Sequence, residues 1–145
     1  MKHVSLLIKP ASSLCNLRCR YCFYHDIASV RDVKSYGVMT PATAERLIRS
    51  AFAAVSPGGS IQFAFQGGEP TLAGLPFFRS FLELEARCAV PGVRVFHSIQ
   101  TNGTLLDEEW AAFLHQNGFL VGLSVDGPRD LHDLYRVDAE GKGTW

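Results

Sequence analysis

Four segments of the chain read as strands, Val4–Lys9, Ile61–Gln66, Val93–Gln100 and Phe119–Asp126, and helical patterns lie between them. Strand then helix, repeated, builds βαβ units and a parallel sheet. In the last three strands only one parity is apolar: Ile61, Phe63, Phe65; Val93, Val95, Ile99; Val121, Leu123, Val125. The other parity is smaller or more polar: Gln62, Ala64, Gln66; Phe96, Ser98, Gln100; Gly122, Ser124, Asp126. A doubly wound sheet with helices on both faces needs nearly continuous apolar strands. One-sided strands require a curved sheet with helices outside and a ligand cavity inside, a barrel or part of one. An antiparallel sheet with a wet face is the competing arrangement, and the intervening helices disfavour it.

The helices carry their own punctuation. Thr40 is placed as an N-cap with Pro41 at the first helical position, leading into Ala42–Val55 and ending at Pro57-Gly58-Gly59. Over Leu75–Cys88 the residues Phe77, Phe78, Phe81 and Leu82 share one helical face. Asp107–Gln116 has acids in its first turn and closes at Asn117-Gly118. No low-complexity tract or internal boundary interrupts the 145 residues, a length typical of one domain.

Fourteen Lys and Arg balance fourteen Asp and Glu, which argues against a broad nucleic-acid surface. With 47% hydrophobic and 19% charged residues the chain is not expected to be disordered. Its apolar runs fall short of the roughly 18 residues of a membrane span. Met1–Pro10 makes a poor secretion signal, so a cytoplasmic, membrane-free protein is the expectation.

Three of the four cysteines, Cys15, Cys19 and Cys22, fall within eight residues as C-x3-C-x2-C, while Cys88 stands alone. A disulfide framework spreads its cysteines to close long loops, so a metal or iron–sulfur site is the better reading. Cys88 reads as a small buried hydrophobe. Three thiolates could hold three corners of a cubane with one iron left open, or, with His25, a Cys3His zinc set. Spacing leaves both open; Tyr21, Phe23 and Tyr24 add aromatic surface that suits an adenine-like ring as well as a core.

In βα barrels chemistry gathers at the C-terminal ends of the strands. Here those ends carry the cysteine loop, Gln66-Gly67-Gly68-Glu69-Pro70-Thr71, Gln100-Thr101-Asn102-Gly103 and Ser124-Val125-Asp126-Gly127-Pro128. Gly67 and Gly68 would let a ligand approach the backbone, and Glu69 could pair with a ligand ammonium. Gln66 and Ser124, on the inward parity, offer uncharged hydrogen bonds. Arg136 could hold a ligand carboxylate or pair with Asp133 or Asp138. His97 and His115 have no obvious partner and read as packing or surface residues. There is no phosphate-binding glycine loop and no Ser/His/Asp triad.

The cysteine motif after a first strand, with an aromatic before its third Cys and Gly67-Gly68-Glu69-Pro70 after the second strand, resembles the radical S-adenosylmethionine (SAM) superfamily. The strings Cys15–Tyr24, Ser98–Leu106 and Gly122–Pro128, followed by His132-Asp133 and Arg136, resemble the anaerobic sulfatase-maturating branch. The likeness runs from Val4 to Thr144. It implies a partial (β/α) barrel and a [4Fe–4S] cluster on Cys15, Cys19 and Cys22, with SAM on the open iron. An electron donor would reduce the cluster, and cleavage of SAM to a 5′-deoxyadenosyl radical would oxidise a Cys or Ser of a sulfatase polypeptide to Cα-formylglycine. By the same likeness Tyr21 meets the adenine, Gly67, Gly68, Glu69 and Pro70 the amino group, and Ser124 and Arg136 the rest of SAM. Tyr24, Gln66 and Gln100 would face the substrate.

Members of that branch close a six-unit partial barrel and add a cysteine-rich region with two auxiliary clusters and an acidic base. Residues 1–145 are therefore expected to be the N-terminal portion of the core, with about four βα units and the auxiliary-cluster region absent. The general base is expected beyond residue 145, and no catalytic residue is assigned. Three other outcomes stay open: another peptide modification such as thioether formation, a structural zinc module, and a catalytically dead fragment that binds a partner.

Overall fold

A computed structural model describes all 145 residues. In chain order the elements are β1 (His3–Ile8), α1 (Phe23–Ser29), α2 (Pro41–Ala54), β2 (Ser60–Phe65), a 3₁₀ turn (Pro70–Ala73), α3 (Leu75–Cys88), β3 (Arg94–Thr101), α4 (Glu108–Gln116), β4 (Leu120–Leu123) and α5 (Arg129–Tyr135). The four strands form one sheet in the order β1-β2-β3-β4, every pair parallel. Parallel neighbours need crossovers, and α2, α3 and α4 lie within the three that join consecutive strands.

Register turns the one-sided patterning into a face. Ile8 pairs with Phe65, Phe65 with Ile99 and Ile99 with Val121, a row that runs across all four strands. The first three are at most 2% exposed beneath the helices, whereas Val121 is 40% exposed. Ala44, Ile48, Ala51 and Phe52 of α2, Phe78, Phe81 and Leu84 of α3, and Trp110, Phe113 and Leu114 of α4 complete the core. Edge-to-face rings bind it: Phe63 on Phe81 at 5.3 Å, Phe65 on Phe78 at 5.0 Å and Phe78 on Trp110 at 5.3 Å between centroids. Such pairs add about 0.5–1.5 kcal/mol each beyond their buried area. The Thr40 side chain accepts from the Thr43 N–H, and Asp107 caps α4 by accepting from the Trp110 N–H at 2.9 Å.

The structure departs from the sequence reading in four places. β4 is half the length of the Phe119–Asp126 strand; its Val121 and Leu123, and Val125 beyond its end, are exposed and stand outside the core. Two seven-residue helices, α1 and α5, were not expected. His97 does have a partner: its Nε2 lies 2.6 Å from Glu85 Oε2 beneath the ring of Phe119. Cys88 lies half-buried at the margin of the core rather than inside it. No helix is long and apolar enough to cross a membrane.

Candidate active site

Beyond Ile8 the buried pair Pro10-Ala11 turns the chain across the C-terminal edge of the sheet. The cysteine loop that follows is held from two sides. On one, Arg18 N–H donates to the Val137 carbonyl at 2.7 Å and Arg20 N–H to Tyr135 at 2.9 Å. On the other, Glu69 N–H donates to the Leu14 carbonyl at 2.7 Å. Gly68 (φ 58) makes that approach possible, since a Cβ there would collide with the Leu14 carbonyl oxygen. Cys22 then precedes α1 as its N-cap, without a side-chain hydrogen bond.

The three thiols open onto one cavity of about 370 Å³. Of the residues singled out from the sequence, Tyr21, Tyr24, Gln66, Gly67, Gly68, Glu69, Gln100, Ser124 and Arg136 line it too. Pro70 does not; it is buried behind the rim at the start of the 3₁₀ turn. His25 is not in this cavity. It lines a second one of about 240 Å³ with Cys15 and Cys22 but without Cys19.

Glu69 is 1% exposed and its carboxylate is taken up by the protein. Oε1 accepts from the Thr71 N–H at 3.1 Å, the Thr71 hydroxyl at 2.7 Å and the Thr101 hydroxyl at 2.7 Å. Oε2 accepts from the Asn102 N–H at 2.8 Å. These bonds fasten the end of β2 to the end of β3, a structural duty that the sequence reading did not assign to this carboxylate.

Opposite it, the Tyr21 hydroxyl donates to Asp126 Oδ2. Arg136 Nε lies 3.1 Å from Asp126 Oδ1, off the hydrogen-bond axis, so it is a buried donor without a hydrogen-bond partner. Asp126 thus takes the place proposed for Asp133 or Asp138. Arg136 Nη1 also reaches Cys19 Sγ at 3.9 Å, and its Cζ sits 5.5 Å from the centre of the Tyr21 ring. Burial, then the Asp126 hydrogen bond, push the Tyr21 phenol up to about 12 against the pull of Arg136. Burial raises the Asp126 carboxyl, but Tyr21 and Arg136 outweigh it and hold it below the usual range.

On the remaining wall Gln100 Nε2 donates to Ser124 Oγ at 2.9 Å. Tyr24 lies beneath Lys9, whose Nζ is 4.4 Å from the ring centre. Sequence reasoning passed over Asn16, Asn102 and Asp126. Asn102 Nδ2 donates to Asn16 Oδ1 at 2.9 Å and approaches Cys15 Sγ at 3.9 Å. Asn102-Gly103 and Asp126-Gly127 read as ordinary turns; the available signal was that both sit at strand ends on the cysteine side.

Does this thiol set suit a cluster? Cys15 Sγ accepts from the Leu17 N–H at 3.4 Å, and Arg136 approaches Cys19 Sγ, donors that favour thiolate. Burial pushes the Cys15 and Cys19 thiols up, so a bound cation has protons to displace. No three His, Cys, Asp or Glu side chains are gathered tightly enough to hold a single ion. Three thiols lining one cavity that His25 does not line suit a cluster with one open iron better than a Cys3His zinc set.

Fold and site together define a βα cofactor-binding unit with a three-cysteine iron–sulfur signature at its rim. A family model described as the radical SAM superfamily matches residues 10–145, and the chain belongs to that superfamily, whose cofactors are a [4Fe–4S] cluster and SAM. It is 50% identical over all 145 residues to a cysteine-type anaerobic sulfatase-maturating enzyme of Clostridium novyi (strain NT), spanning 38% of that protein's length. A serine-type enzyme of Klebsiella aerogenes is 43% identical over 97% of the chain, which spans 34% of it. A solved structure described as native anSMEcpe with bound AdoMet superposes with a TM-score of 0.89 at 52% identity, over 97% of this chain and 38% of the other. A second structure of that protein, with AdoMet and a Cp18Cys peptide, gives the same score at 50% identity over 98% and 37%.

Proposed function

We propose that this chain holds the cofactors of an anaerobic sulfatase-maturating enzyme, which oxidises a Cys or Ser of a sulfatase polypeptide to Cα-formylglycine with an electron from a reducing donor. The observation that carries the reading is the convergence of three thiols and the Arg136 side chain on one cavity. The 50% identity to cysteine-type enzymes supports the substrate class. Cys15, Cys19 and Cys22 would hold the cluster. Bound together, cluster and SAM supply the one-electron chemistry that removes a hydrogen atom from the substrate.

The chain's own residues supply position and shielding. Arg136, whose Nη1 reaches toward Cys19 while its Nε stays against Asp126, takes the SAM carboxylate with its guanidinium, and Ser124 and the Tyr21 ring receive the nucleoside. The Glu69 carboxylate is engaged by protein donors, so the amino group meets the backbone of Gly67–Glu69 instead. Tyr24, Gln66 and Gln100 face the peptide. The Gln100–Ser124 hydrogen bond links the SAM and peptide sides.

Anaerobic reconstitution with iron and sulfide should turn the chain brown and, with SAM and a reductant, yield 5′-deoxyadenosine. Cys15→Ala, Cys19→Ala and Cys22→Ala should yield none, while His25→Ala keeps its cluster. A colourless zinc protein would overturn the reading. Incubated anaerobically with the full-length parent enzyme, Cys- or Ser-containing sulfatase peptides should gain an aldehyde by mass; 5′-deoxyadenosine with neither peptide oxidised would favour another peptide modification.

A further inference from the structure

We propose that Asp126 is a positioning residue of the SAM site, holding Tyr21 and Arg136 in the arrangement that receives the cofactor. This rests on the functional reading above. Asp126 does not line the cavity; it stands behind two residues that do. One carboxylate oxygen accepts the Tyr21 hydroxyl and the other lies 3.1 Å from Arg136 Nε. The three residues come from the cysteine loop, the end of β4 and the end of α5, so one carboxylate joins three separate stretches of chain.

Asp126 is itself held by a closed circuit. Its N–H donates to His132 Nδ1 at 3.5 Å, and His132 is 5% exposed. The other ring nitrogen of His132, Nε2, lies 3.2 Å from the Thr144 hydroxyl. That hydroxyl donates to the Arg136 carbonyl at 2.9 Å, and the Arg136 side chain returns to Asp126. Side-chain exposures of 15% for Arg136 and 26% for Asp126 shield the ion pair more than a surface pair is shielded. Without the carboxylate, the phenol loses its acceptor and the guanidinium its counter-charge, and nothing joins the two. Asp126 is half-buried and outside the hydrophobic core, so its removal opens no cavity there.

The test is equilibrium dialysis of SAM against the anaerobically reconstituted chain, with iron content measured alongside. Asp126→Ala should keep its iron and bind SAM roughly ten-fold more weakly, the usual effect of losing a charged hydrogen-bond partner. Asp126→Asn, which can still accept from Tyr21 but has no charge for Arg136, should fall between. Adding Tyr21→Phe to Asp126→Ala should weaken binding no further, because the hydroxyl acts only through the carboxylate. Additive losses, iron lost together with affinity, or an Asp126→Ala chain that binds within about two-fold of the parent would each overturn the inference. A parent chain that loads iron and takes up no SAM would overturn the functional reading as well.

Discussion

Tyr21 shows how a single contact across the chain reshapes an ordinary side chain. Its phenol is pushed up to about 12, by burial first and by Asp126 second. An unfolded tyrosine ionises near 10. Between those values the folded chain holds a proton that the unfolded chain has released. The stabilisation is therefore fully present below about pH 10 and is lost as pH rises through about 12. In an ultraviolet titration of the four tyrosines Tyr21 should ionise last, and Tyr21→Phe should delete that final step. Earlier ionisation of all four would remove the Tyr21–Asp126 bond from the account. The aromatic character of Tyr21 was legible in the sequence because it lies inside the cysteine motif. Its partner was not, since an Asp before a Gly is what any turn provides and 105 residues separate the two.

Among elements, legibility followed capping chemistry. α2 and α4 open on Thr40 and Asp107, whose side chains accept from the Thr43 and Trp110 N–H groups, and both lie within a residue of the bounds their sequence predicts. α1 and α5 run only seven residues, and their N-caps, Cys22 and Pro128, make no side-chain hydrogen bond. Nothing local marks them, and tertiary contacts decide their conformation. The joint between β2 and β3 was also illegible, because it depends on one carboxylate collecting donors from both strand ends. Glu69→Ala should strand the two Thr hydroxyls and the Asn102 N–H and cost about 3 kcal/mol. Glu69→Gln should cost less, about 1–2 kcal/mol, because its carbonyl keeps three donors while its NH2 opposes the Asn102 N–H. Urea unfolding of the chain measures both, and a Glu69→Ala midpoint equal to the parent's would deny the joint its role.

Across the whole molecule, one-sided patterning predicted the parallel sheet and the face on which its helices lie. It could not predict that the cover ends before β4, because parity says which face is apolar and not what packs on it. β4 pairs only with β3, and Leu120 and Leu123 are 73% and 55% exposed. An open, apolar edge strand is a template for association. Sedimentation velocity should show the chain associating as its concentration rises, and Leu120→Lys should reduce that association; a parent that stays monomeric would refute the expectation. The Gly68 contact with Leu14 works on the same large scale. Residues more than fifty positions apart meet there, so the shape of the cysteine loop is tied to the pairing of the first two strands. A side chain at position 68 would displace the thiols without touching one of them.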